Sequence, residues 1–525
     1  MDTKALRQKI LDLAIRGKLV PQDPSDEPAS VLLERIREQK KQMVKEGKLK
    51  AKDIMDDTII FVGEDNLHYE KFADGTVKCM EDEIPFEVPE GWAWCKLNDI
   101  YNFIDYRGAT PTKITNGIPL VTAKNVKSGY IDYTIDDYIS EEEFKERQQR
   151  GISKKGDILF TTEAPLGNAA LADMEKFSAG QRLITFQQYG SKNELINYVM
   201  LMFILSDFFQ QQLYVNKTGS TVAGIKAAIL KTLWIPVPPY NEQLRISNTL
   251  KSAINLIDSI SKNKEILSTS ISNTKSKILD LAIRGKIVPQ DPNDEPASVL
   301  LERIRAEKEE LIKQGKIKRD KKESVIFKGD DNSYYLRTGG VEESLENWRF
   351  DDLPETWKIC CLGELCDYGD CINVNTEDIA EDAWILDLED IEKDTGMVLK
   401  KVTKAQRNSV STKHKFHSGQ VLYSKLRPYL NKVVLSDADG YCTSEILPLE
   451  FKNCVLPEYA RYYLMSGTFI TYANHCSYGV KMPRLGTTDG KKAIFSLPPL
   501  SEQKCIVETI DFCFMQLNKI SEALA

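Results

Sequence analysis

The longest regular pattern of apolar and polar positions lies in the middle of the chain. Leu250, Ile257, Ile271 and Ile278 fall at seven-residue steps, and Ile246, Ala253, Ile260, Leu267 and Leu281 fill a second seam, interrupted at Lys264 and Thr274. This heptad pattern predicts a coiled-coil helix over 242–284, roughly 64 Å long at ~1.5 Å per residue. Shorter amphipathic helices are predicted from ASVLLERIR at 29–37 and at 297–305. Asp26 and Asp294, ahead of prolines, are their expected N-caps, and Gly47 and Gly315 their expected ends.

Those helices belong to a repeat. Residues 9–37 and 277–305 differ only at Leu19/Ile287 and Ser25/Asn293, at an offset of 268. Weaker likeness links IIFVGEDNLHY (59–69) with VIFKGDDNSYY (325–335), VPEGWAWCKL (88–97) with LPETWKICCL (353–362), and IPVPPYNEQ (235–243) with FSLPPLSEQ (495–503). Residues 98–234 and 363–494 share little, so the chain reads as two copies of a constant frame around two variable inserts. The second copy of the long helix starts at Glu502 and is cut at Ala525, while the first copy begins at Met1. The repeats are therefore circularly permuted: the two terminal helices are expected to rebuild one antiparallel partner for the central helix, giving a pseudo-twofold object.

Composition narrows the class. At 525 residues, with 42% hydrophobic and 28% charged positions, the chain is expected to be a globular protein of several domains. No apolar run approaches the ~20 residues of a membrane span, and MDTKALRQKILDLAIRGK lacks a signal-peptide core, so a cytoplasmic location and no membrane partner are expected. The eleven cysteines are odd in number and suit reduced thiols; Cys361, Cys366 and Cys371 are read as buried rather than metal-binding.

A formal charge of −8 means that any nucleic-acid site must be local. Four stretches contain no acid: 106–131, 208–241, 395–436 and 459–488, all in or bordering the inserts. Each neutralised phosphate releases counterions, so such basic windows point to duplex DNA. The candidate DNA-binding residues are Arg107, Lys113, Lys124, Asn125, Lys217, Ser220 and Lys226 in the first insert, and Lys404, Lys413, Lys425, Arg427, Lys432, Lys481 and Arg484 in the second. The loops KTGSTVAGIK (217–226) and SYGVKMPR (477–484) combine glycine, small hydroxyl or aromatic side chains and basic ends, a composition suited to entering a groove. His414 and His417 are assigned to the second basic face.

Catalytic signatures are not found. Val237-Pro-Pro-Tyr240 imitates the Asn/Asp-Pro-Pro-Tyr motif of adenine methyltransferases, but valine cannot accept hydrogen bonds from a target amino group, and Leu497-Pro-Pro-Leu500 has the same deficiency. No GxxxxGK[ST] phosphate loop occurs, and Glu143-Phe-Lys145 sits in a charged helical run. A recognition subunit without a catalytic centre is expected, with no cofactor in this chain.

Taken together, DLAIRGKLVPQDPSDEPASVLLERIR and its copy, PVPPYNEQ and LPPLSEQ, KKGDILFTTEAPLGNAAL (154–171), GQRLITF (180–186), ILDLEDIEKDTG (385–396) and SGQVLYSKLRPYLNKVVLSD (418–437) resemble the DNA-specificity subunit family of type I restriction–modification systems. The resemblance implies an α+β fold with two globular α/β target recognition domains, each reading half of a split asymmetric site, separated by the long antiparallel two-helix coiled coil. It implies as partners double-stranded DNA, two adenine-methyltransferase subunits and two motor–nuclease subunits, with S-adenosylmethionine, ATP and Mg on those subunits. The expected segments are an N-terminal helical region (1–50), an extended insert or linker (51–87), the first recognition domain (88–241), a central helical region (242–322), a second extended insert (323–352), the second recognition domain (353–500) and a C-terminal helix (501–525).

Overall fold

Pro238 and Pro239 end a strand, and the chain turns directly into the central helix, Tyr240–Ala282, of 43 residues. In this computed structural model all residues are described except 1, 56, 73, 107–109, 190–193, 220–222, 317–322, 347–352, 408–409 and 525, and the side chain of Arg150. The helix has the expected length but lies two residues earlier at each end. Leu250, Ile257 and Ile271 are buried on the first predicted seam, and Ile246 on the second. The second seam differs: Leu267 is exposed, while Ile254 and Leu279 are buried instead. A helix of 3.6 residues per turn drifts against a strict seven-residue repeat, which shifts the buried stripe by one position.

The described chain forms two compact units, Met1–Asn263 and Lys264–Ala525. In the first, helices Thr3–Ile15 and Ala29–Lys45 bury Leu11, Ala14, Ile15, Leu32 and Ile36 in a core shared with Ile246 and Leu250. In the second, helix Ala297–Lys313 contributes Leu300, Leu301 and Ile304, and the C-terminal helix Leu500–Leu524 contributes Ile506 and Ile510. The expected caps need correction. The N-caps are Pro28 and Pro296 rather than Asp26 and Asp294. The Asp26 carboxylate, almost buried, instead accepts from Arg245 at 2.6 Å. Gly47 and Gly315 do end the helices, with φ of +69° and +70°.

Within the segments 51–87 and 323–352, expected to be extended, the described residues 59–79 and 324–344 form small sheets. Strands Ile59–Val62, His68–Lys71 and Val77–Cys79 form one antiparallel sheet, and Ser324–Lys328, Tyr334–Thr338 and Val341–Ser344 another. Their shared GEDN and GDDN sequences are hairpin turns: Asn66 and Asn332 take φ of +62° and +65°, and the Asp65 and Asp331 carboxylates accept from the Tyr69 and Tyr335 hydroxyls at 2.6 and 2.7 Å.

Each variable insert is closed at its base by one antiparallel pair, Ala93–Lys96 with Trp234–Val237 and Lys358–Cys361 with Ile494–Leu497. The first insert contains a four-stranded antiparallel sheet in the order Tyr101–Asp105, Leu183–Gln188, Ile158–Thr161, Ala169–Leu171. The second contains a three-stranded sheet, Val433–Leu435, Val421–Ser424, Ile446–Leu449, and a separate five-stranded one.

A clasp built from the repeated residues fastens each insert to its frame. The Trp92 indole N–H donates to Glu242 Oε2 at 2.9 Å, and Gln22 Nε2 donates to Glu242 Oε1 at 2.9 Å. In the second unit Trp357 donates to Glu502 at 2.9 Å and Gln290 at 2.6 Å. The neighbouring glutamine accepts from the amide preceding the next helix: Ile196 N to Gln243 and Leu456 N to Gln503, both at 2.8 Å. This is why the EQ pair follows the Pro-Pro turn in both halves. Gly17 and Gly285, both at φ +64°, lie so close to Pro89 and Pro354 that a Cβ would sit 2.3 and 2.5 Å from the proline rings.

Candidate nucleic-acid interface

In the first unit, the described residues 217–219 and 223–226 are paired as the two arms of a hairpin: Thr218 N donates to Gly224 O at 2.8 Å, and Gly224 N to Thr218 O at 3.0 Å. The hairpin is anchored where Ile225 N donates to Thr162 O at 3.0 Å, beside the turn that follows strand Ile158–Thr161. Thr162 N in turn donates to Arg182 O at 2.9 Å. Thr162, Glu163, Gln181, Arg182, Thr218 and Lys226 line a cavity of about 390 Å³. Glu163 and Arg182 pair across it at 2.8 Å.

The second unit repeats this scaffold atom for atom in its main chain. Tyr478 N donates to Arg484 O at 3.1 Å and Arg484 N to Tyr478 O at 3.0 Å; Leu485 N donates to Lys425 O, and Lys425 N to Glu445 O, both at 3.0 Å. Arg427 N further donates to Pro483 O at 2.7 Å. The two sequence-selected loops therefore occupy equivalent places, each braced against a turn containing proline, Pro165 or Pro428. The side chains differ. Glu445 stands where the first unit has Arg182, and it holds Arg484 through Nε at 3.0 Å and Nη2 at 2.9 Å.

The candidate residues separate into three groups. Lys124, Lys217, Lys226 and Lys481 are exposed, with Lys217 Nζ lying 4.9 Å from the centre of the Tyr214 ring. Lys425 and Arg427 are half-buried beneath the second hairpin. The others are engaged within the fold. Asn125 is 3% exposed; its carbonyl accepts from Thr122 N at 2.9 Å and its amide donates to Asp132 O and Ile135 O. It shapes a turn, with its amide group bonded within the fold. Lys413 is 2% exposed and reaches Ser411 Oγ at 2.8 Å. Lys432 donates to Leu388 O at 2.6 Å, and burial lowers its pKa. Lys404 pairs with Glu381 at 3.0 Å, Lys113 with Asp137 at 2.7 Å. Arg107 and Ser220 lie outside the described residues.

The acid-free stretch 395–436 is thus not a positive face in space. Arg407 pairs with Asp387 and with Asp390 at 2.5 Å, Lys401 with Asp437 at 2.7 Å, and Lys400 approaches Asp390 at 3.7 Å. Acids from just outside the window fold back onto it. His414 is also misplaced by the sequence reading: it is buried, its Nδ1–H donates to Ile446 O at 2.8 Å, and burial lowers its pKa, which disfavours its charged form. His417 is exposed and lies 2.7 Å from Glu450. Sequence reasoning missed Glu163, Arg182, Gln181 and Glu445; the signal available was the paired TEAPLGN and KLRPYLN turns, whose Ala164 and Arg427 share φ of +48° and +49°.

A larger groove of about 1290 Å³ beside helix Ala29–Lys45 has a lining of mixed charge, with Glu34, Glu38, Glu46 and Glu194 beside Arg35, Lys48, Lys154 and Lys155. Among the described residues no group of three or more His, Cys, Asp or Glu is placed to hold a metal. Cys360, Cys361 and Cys366 are buried, and burial pushes their thiols up. Among the described residues no helix is long and apolar enough to cross a membrane.

The family described as type I restriction modification DNA specificity domain matches residues 89–268 and 354–523. The chain is 28% identical to the type I restriction enzyme EcoAI specificity subunit of Escherichia coli, over 98% of this chain and 90% of that one. It is 30% identical to the EcoEI specificity subunit of Escherichia coli, over 69% of this chain and 61% of that one. A chain solved in work on complex assembly and conformational transition of the type I R-M system shares the fold, with a TM-score of 0.52 at 16% identity, covering 84% of this chain and 94% of that one.

Proposed function

Since the chain belongs to the type I restriction–modification DNA specificity family and carries its domain twice, we propose that it is a non-catalytic subunit that reads a split, asymmetric DNA site, one half per unit. The observation that carries this reading is the hairpin-and-turn scaffold built twice with the same main-chain bonds and different side chains. Equal scaffolds give each unit one way of meeting a duplex, and unequal side chains give the half-sites different sequences. Lys124, Lys217 and Lys226 serve the first half, and Lys425, Arg427 and Lys481 the second.

The repeated frame is the docking surface for two adenine-methyltransferase subunits, which hold S-adenosylmethionine, and the assembly takes up two motor–nuclease subunits that use ATP and Mg. The 43-residue helix is the spacer of an antiparallel coiled coil completed by the terminal helices, whose repeats are circularly permuted. Supporting it within the units are an ion pair from Arg7 to Asp258 in the first and a 2.6 Å hydrogen bond from Lys275 to Asn518 in the second. The site of action is the cytoplasm, where chromosomal and invading DNA are both accessible.

The test is methylome mapping of cells that express the chain with its methyltransferase partner. The expected product is methylation at one bipartite, asymmetric motif; a continuous or palindromic motif would refute the reading.

A further inference from the structure

The two hairpin sequences have the same length and glycine position but differ in the residues that follow the glycine. Gly219 and Gly479 take φ of +90° and +97°. After them the first loop continues Ser220-Thr221-Val222 and the second Val480-Lys481-Met482. In the second unit Val480 is 101% exposed, Tyr478 62% and Met482 46%. Isolated exposed apolar residues are ordinary, but here three of them stand on one braced turn.

The arginine of that turn is not a free reader. Arg484 has Nε and Nη2 on Glu445, and Nη1 donates to Met482 O at 3.3 Å. Lys481 is exposed between the two apolar residues, and the half-buried Lys425 and Arg427 lie under the same hairpin. A basic setting draws this tip to phosphates, while its most exposed side chain is purely apolar. Within the major groove the feature that such a side chain distinguishes is the thymine C5-methyl group.

Resting on the proposed DNA-reading function, we propose that Val480 and Met482 recognise the 5-methyl group of a thymine in the half-site read by the second unit. The hairpin's main-chain bonds to Lys425 and Arg427 fix its height above the turn, so the apolar pair is presented without rearrangement.

The experiment uses the full-length chain in complex with its methyltransferase partner and duplexes carrying its own bipartite motif. Each thymine is replaced in turn by deoxyuridine, which removes only the methyl group. At least one replacement in the second half-site is expected to weaken binding about four-fold, the effect of burying one methyl group, with no such response in the first. V480A/M482A should abolish that response while leaving the first half-site profile intact, and K481A should reduce the salt dependence without altering it. Specific binding that tolerates uracil throughout the second half-site, or a second half-site without an A·T pair, would overturn the proposal while sparing the DNA-reading function. So would a V480A/M482A variant that assembles with its partner and keeps the wild-type uracil response. A wild-type complex with no specific DNA binding would instead overturn the function on which the proposal rests.

Discussion

The two recognition heads keep the same main-chain hydrogen bonds and reverse their charges. Position 182 of the first is arginine and bonds Glu163 on the turn; the equivalent Glu445 of the second bonds Arg484 on the hairpin. In both, the residue's carbonyl still accepts the same amide, from Thr162 at 2.9 Å or Lys425 at 3.0 Å. Holding the loop is thus the work of the backbone, and the side chains are released to vary. The first head places its arginine beside the turn, where Glu163 only partly covers it, whereas the second grips its arginine with a bidentate carboxylate, the stronger geometry.

The clasp offers the sharpest way to separate the heads. Glu242→Ala leaves the buried Trp92 N–H without its acceptor, which costs about 1–3 kcal/mol. We expect loss of first half-site recognition and an earlier unfolding step assigned to the first unit by hydrogen exchange, with Glu502→Ala doing the same to the second. Equal damage to both halves from either variant would show that the clasps do not act separately.

Reversing the charge comparison should give opposite signs. Glu445→Ala frees Arg484 and removes a negative charge, so second half-site affinity should rise about five-fold with reduced discrimination; Arg182→Ala should lower first half-site affinity by a similar factor. Titration against a base-by-base library measures both, and changes of the same sign would end the charge-reversal account.

pH separates the units more gently. Burial raises Asp157 to about 6, and Asp99 likewise to about 6. A carboxyl whose folded pKa lies above its unfolded value contributes stability below the unfolded value, and that contribution is lost as pH rises through 6. His414 acts in the other direction: its folded pKa is lowered by burial, so protonation of the unfolded chain destabilises the second unit as pH falls below its ordinary value. Between pH 7 and 5 the first unit should gain stability relative to the second, by hydrogen exchange, and Asp157→Asn combined with Asp99→Asn should remove most of the gain.

The smallest effects belong to exposed lysines. Lys226→Ala and Lys481→Ala should each reduce the slope of log binding against log salt by about 1 and weaken all sequences alike. A change confined to particular bases would instead make either lysine a reader.

What the sequence revealed followed from periodic or duplicated pattern. The heptads placed the central helix within two residues of Tyr240–Ala282, and the repeat marked the constant frame, because a buried seam and a shared frame leave marks along the chain; the two hairpins were found by their loop composition. The charge windows misled, since Asp387 and Asp390 reach Arg407 across a turn that linear counting does not see. Asn125 resembled a reader for a related reason: the same amide chemistry that recognises adenine also closes a turn from Thr122 to Ile135. The small sheets at 59–79 and 324–344 were passed over as extended chain although GEDN and GDDN are hairpin signals with a mechanism.

Val480, wholly exposed, supports nothing in the fold. Natural selection can therefore act on this tip only through what it meets. If this tip reads DNA as proposed, drift at such a position changes the DNA word a lineage recognises while leaving the stability of the protein untouched, and new specificities arise here without passing through misfolded ancestors.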